Sequence, residues 1–132
     1  MSGIFPYMRH GIPDFTEKHA VTSNEAVALG EALVLSSGKL TKCGATTKPS
    51  FLAAEPCTAA EATAGKHIDV LRVNSHVIYE TKLSVDSASI AEGAKYTLSS
   101  DGLAITATAT SGVAEVVGFD GKAAGDKVLV RF

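Results

Sequence analysis

VALGEALVLSSGKLT, residues 27–41, and IAEGAKYTLSSDGLA, residues 90–104, are one pattern written twice. Gly30 aligns with Gly93, Leu35 with Leu98, Ser36-Ser37 with Ser99-Ser100 and Leu40 with Leu103, all at one constant offset. Each copy later reaches a second echo: AGKHIDVLRV from Ala64 to Val73, and AGDKVLVRF from Ala124 to Phe132. A period of this size indicates a supersecondary unit used twice, because one copy cannot bury its apolar face alone.

The pattern inside each copy is that of short strands. Ala32 to Leu35 is an apolar run closed by the turn residues Ser36-Ser37-Gly38, and Lys39 to Cys43 resumes it. Phe51 to Ala54 and His67 to Val73 read as further strands, the latter with Ile68 and Val70 alternating against His67 and Asp69. Thr58 to Ala64 has room for one helical turn before Gly65. In the second copy Ala94 to Leu98 leads into Asp101-Gly102, a hairpin signal. Leu103, Ile105, Ala107 and Ala109 then alternate with polar or small residues, predicting a half-buried strand. Val113 to Phe119 and Lys127 to Phe132 follow, so the last residues are expected in the sheet. The expected fold is all-β: a small barrel or sandwich made of two pseudo-repeated halves, 21–73 and 85–132, sharing one core. Residues 74–84 are expected to cross between the halves.

Residues 1–20 differ. Ile4, Phe5, Tyr7, Met8, Ile12 and Phe15 are interspersed with Pro6, Gly11 and Pro13 and fit neither period, while two prolines oppose a helix. This reads as an extended N-terminal interaction arm, with 21–132 as a single β domain. Apolar surface of this kind either packs back on its own domain or docks on a neighbouring subunit; the second reading is preferred. Those six residues are the candidate interface with a capsid or a neighbouring subunit.

Composition excludes several classes. The chain has 132 residues, 45% of them apolar and 20% charged, which describes a folded domain with a real core. Net charge is −2 with no basic run, so no nucleic-acid partner is expected. No stretch approaches the roughly 20 apolar residues of a membrane helix, and Met1 to Ala20 lacks a signal-peptide core, so no membrane partner is expected either. Cys43 and Cys57 match no metal or redox spacing and read as two free thiols, with a disulfide as the alternative. His67 and Asp69 face the same way on a strand, yet no third ligand accompanies them, and they read as surface residues. Phosphate-binding glycine loops and nucleophile elbows are absent from the sequence, and no constellation supports an enzyme or a cofactor. A lipoyl- or biotinyl-carrier hairpin is not matched, because Lys82 lacks that setting.

The string GAKYTLSSDGLAITATATSGVAEVVGFDGKAAGDKVLVRF, Gly93 to Phe132, resembles the C-terminal half of small capsid decoration (cement) proteins of tailed bacteriophages. The shared features are a glycine before a strand, the Asp-Gly hairpin, a Thr/Ala-rich strand and a closing Gly-Asp-Lys-Val strand. The resemblance covers about 40 residues well and the first copy loosely. It implies a non-enzymatic virion structural protein on the capsid surface, made in the host cytoplasm, that bridges or stabilises adjacent major capsid subunits. It implies the major capsid protein as partner, with further copies of the chain, as a trimer or as neighbours, beside it. A different reading is a small ligand- or carbohydrate-binding β module of a fibre or cell surface. That reading requires exposed aromatics, and Tyr79 and Tyr96 are its candidates.

Overall fold

Ten short strands and one helical turn make up the regular structure of the computed structural model, which describes residues 3–8 and 16–132. In chain order they are β1 (Phe5–Met8), β2 (Thr16–Ala20), β3 (Ala32–Ser36), β4 (Lys39–Lys42), β5 (Phe51–Ala53), α1 (Ala59–Thr63), β6 (His67–Arg72), β7 (Ile78–Lys82), β8 (Lys95–Tyr96), β9 (Ala114–Phe119) and β10 (Lys127–Arg131). They form two five-stranded sheets, ordered β2-β6-β5-β3-β4 and β1-β7-β10-β9-β8. Every pairing between these named strands is antiparallel. The all-β class expected from the alternation is what forms.

Each sheet closes on itself. In the first, Val21 makes a parallel bridge to Leu40, and the Thr22 N–H and hydroxyl both donate to the Leu40 carbonyl at 2.9 Å. This joins the two edge strands β2 and β4. In the second, Leu83 bridges Ile105 in parallel and Ile105 bridges Leu98 antiparallel, joining the end of β7 to the continuation of β8. Closure satisfies backbone groups that an open edge would leave available to other chains. At four positions the sheets share an order: β2, β6, β5 and β3 pair in the same sequence and sense as β7, β10, β9 and β8.

Closure corrects the expectation of one shared core. The first sheet encloses Val21, Val27, Leu33, Leu40, Phe51, Ala53, Cys57, Ala62, Ile68 and Val70. A second cluster is built on Tyr79, Leu83, Tyr96, Leu98, Ile105, Val116, Val128 and Val130 and also takes in Ala32, Cys43 and Leu52 from the first sheet. Side chains of neighbouring strand residues point to opposite faces. Leu33, Phe51 and Ala53 therefore fill the first core, while Ala32 and Leu52 face the second. Strands β3 and β5 form the wall between the two, which is why all three residues of β5 are buried.

Other boundaries also move. Residues 74–84 carry β7, which pairs with both β1 and β10, so this segment is part of the second sheet as well as the passage into it. The strand expected over Leu103–Thr110 is irregular. Ile105 bridges both neighbours, but the Thr106 hydroxyl accepts from the Thr108 N–H at 3.0 Å and meets the Thr97 hydroxyl at 2.6 Å. The Thr106 side chain here takes up a backbone N–H that a regular ladder would use. The helical turn does form, with a capping box. The Glu61 N–H donates to the Thr58 hydroxyl at 3.1 Å and the Thr58 N–H donates to the Glu61 carboxylate at 2.9 Å.

Candidate functional site

The N-terminal segment sits where the two β units meet. The Ile4 N–H donates to the Gly30 carbonyl at 2.9 Å, in the first unit, and the Gly3 N–H donates to the Leu103 carbonyl at 3.0 Å, in the second. Two further backbone bonds cross the same seam: the Ala32 N–H to the Gly102 carbonyl and the Leu98 N–H to the Ala45 carbonyl, both at 2.9 Å. Strand β1 then pairs with β7, with Phe5 opposite Glu80 and Pro6 opposite Tyr79. Pro6 lacks an N–H, a tolerable loss on an edge strand.

The candidate interface residues fall into three groups. Ile4 is 1% exposed and belongs to the second core, so its assignment as an outward anchor is corrected: its side chain is consumed by its own chain. Phe5 is partly buried, its ring lying over Gly3 and Gly30; a Cβ on Gly30 would come within 2.7 Å of that ring. Gly30 also has φ +79°, a conformation favouring glycine. Tyr7 is 51% exposed, with the Lys127 ammonium 5.6 Å from its ring centroid. Met8 ends β1; its side chain, together with Ile12 and Phe15, lies outside the described residues. Over residues 3–8, then, the extended arm is an edge strand packed back on its own domain, with one large aromatic facing solvent.

Behind this strand lies a charged group that sequence reasoning missed. Glu31 is 3% exposed. Its carboxylate accepts from the Ala28 N–H at 3.1 Å and from the Lys42 ammonium at 3.3 Å. Burial pushes its pKa above the usual carboxylate value, opposed by the Ala28 N–H and by Lys42. Asp101, across the seam, is held below its usual value by the Ser99 hydroxyl first, then by the Leu103 N–H and the charge of Lys42. Glu25 accepts from the Thr41 hydroxyl and, at 2.8 Å, from the Lys42 N–H. The one available signal was position: Glu31 follows Gly30, a repeat-matched glycine.

The remaining candidates are dispersed. His67 and Asp69 do not pair: the His67 ring meets the Gly65 carbonyl at 3.1 Å, and Asp69 holds Lys18 at 3.1 Å. Glu17 is occupied by Arg72 at 2.7 Å, which lowers its pKa. Cys43 and Cys57 are free, buried thiols in different clusters, and burial raises Cys43 to about 11. Tyr79 and Tyr96 are buried, with their hydroxyls accepting from the Asn74 and Ala91 N–H groups at 3.0 Å. Neither ring faces solvent, so these two tyrosines offer no platform for stacking on sugar. Among the described residues no cluster of three or more His, Cys, Asp or Glu could hold a metal ion, and no helix is long and apolar enough to cross a membrane. An open cleft of about 680 Å³ runs between Val27 and α1, lined by Glu55, Pro56, Cys57, Glu61 and Lys66. Its charged groups are already engaged: Glu55 accepts from the Asp69 N–H, and Glu61 from Thr58 and Lys66.

Compared with known proteins, the chain matches no family model, no curated protein and no solved structure.

Proposed function

We propose that this chain is a non-enzymatic virion structural protein that binds the outside of a phage capsid and bridges or stabilises adjacent major capsid subunits. The observation that carries the reading is the edge strand β1, fixed at its root by buried Ile4 and displaying Tyr7 at 51% exposure. A rigid aromatic presented at low entropic cost is a favourable binding anchor. The resemblance of Gly93–Phe132 to cement proteins supports the same reading. In this mechanism the clamp binds the expanded lattice better than the unexpanded one and stabilises it by that difference. Many weak contacts repeated over a shell add through avidity. The partners are the major capsid protein and further copies of the chain; the site of action is the capsid surface after synthesis in the host cytoplasm. No cofactor enters the mechanism.

The test is co-sedimentation of full-length protein with expanded empty heads and with unexpanded shells assembled from a phage major capsid protein. Saturable binding to expanded heads alone is expected. Absence of binding to heads, or binding to a glycan array instead, would overturn the proposal.

A further inference from the structure

Strand β1 belongs to the second sheet, yet the next strand in the chain, β2, belongs to the first. It is the one member of its sheet that arrives out of chain order, from before the first unit. The outer edge of β7 is covered in two portions. The 103–105 segment covers one end, where the Ile105 N–H donates to the Lys82 carbonyl and the Ser84 N–H to the Ile105 carbonyl, at 3.1 and 2.8 Å. Residues 5–8 cover the other, against Glu80, Tyr79 and Ile78. Removing β1 would leave that second portion bare, together with the Gly30 and Leu103 carbonyls and the pocket that Ile4 fills.

We propose that this seat is an intermolecular docking site whose occupant is residues 3–8 of a second copy of the chain, so that copies join by reciprocal exchange of β1. The groove is already shaped for that sequence: a glycine pair admits the Phe5 ring, and the second core admits Ile4. Exchange preserves every one of these contacts and alters only the path of the connecting residues, so its equilibrium cost is small. Seven residues, including Gly11 and Pro13, separate Met8 from Thr16. Fully extended they span roughly 24 Å, enough to reach a neighbour packed alongside. The proposal stands whether or not the partner surface is a capsid.

The test uses two pools of full-length protein, one carrying Phe5→Cys and the other Glu80→Cys, positions opposite each other in the β1–β7 register. A chain carrying both substitutions reports closure within one molecule. Mixed pools, concentrated and then oxidised, are expected to yield a disulfide-linked dimer joined at those two positions by peptide mapping. The yield should fall at least tenfold when dilute protein is oxidised. Closure of the doubly substituted chain with no link between the mixed pools at any concentration would overturn exchange. A second measurement needs no substitution. Light scattering of the unmodified chain, concentrated and rediluted, should show a dimer that persists; monomer alone throughout would also overturn it.

Discussion

Lys42, at the end of β4, pairs with Glu31 of the same β unit, its ammonium 3.3 Å from a carboxylate that is 3% exposed while the lysine itself is half exposed. One partner is dry and the other wet, so the pair is not a surface ion pair of negligible worth. Nor is it a fully buried pair with full desolvation on both sides. Its carboxylate carries most of the cost, and that sets the direction of its pH dependence.

Glu31 has a folded pKa above the ordinary 4.5 because burial disfavours its charge. The folded state therefore binds this proton more tightly than the unfolded chain does. The resulting stabilisation is fully present below pH 4.5 and is lost as pH rises through the folded value. Glu31→Gln keeps an acceptor for the Ala28 N–H and removes the ionisation. The stability difference between Glu31→Gln and the parent should thus shift in favour of the variant as pH rises from 4 to 7. Glu31→Ala leaves the Ala28 N–H unpaired and should cost about 1–3 kcal/mol. Urea titrations of the three proteins across that pH range decide it.

Gly30 and Gly38 share φ +79°, but only Gly30 faces a neighbour, the Phe5 ring. Gly38→Ala should carry the conformational penalty alone, about 1–2 kcal/mol. Gly30→Ala should cost more, by at least about a further 1 kcal/mol, because the ring must be displaced. Equal losses in thermal or urea unfolding would mean that Phe5 is not seated there.

Ile4 is buried to the same degree as residues at the centre of either core. Ile4→Ala should destabilise by about 2–5 kcal/mol. Tyr7→Ala, at an exposed position on the same strand, should stay within about 0.5 kcal/mol of the parent. The contrast, read by urea unfolding, separates an edge strand rooted in the core from a free arm, which would show no effect at either position.

Cys43, raised to about 11 by burial, should resist thiol reagents at neutral pH in the folded protein and react when unfolded. Fast labelling at pH 7 without denaturant would contradict its burial.

Much of this fold was legible in alternation. Ile68 and Val70 against His67 and Asp69 gave strand β6 its inward face, and the closing Lys127–Phe132 pattern gave β10. The helical turn was legible as the short run from Thr58 to Ala64 before Gly65, although the Thr58–Glu61 capping box that closes it emerged only in the structure. What escaped were long-range choices. Nothing local tells Leu52 to face a different core from Phe51, or tells residues 5–8 to pair with β7, some 70 residues away. Thr106 and Thr108 read as strand by period, but the Thr106 hydroxyl takes the Thr108 N–H. Glu31 escaped for a related reason: its place after Gly30 was the one signal, and a glutamate beside a glycine carries no mark of burial until two units close over it.

We have proposed that capsid binding runs through the edge strand, with Tyr7 as its exposed anchor. The most direct measurement is the affinity of full-length Tyr7→Ala for expanded heads, set against the parent after its fold is verified by unfolding. The account predicts at least a tenfold weaker binding with unchanged stability. Undiminished binding by a folded Tyr7→Ala chain would contradict it.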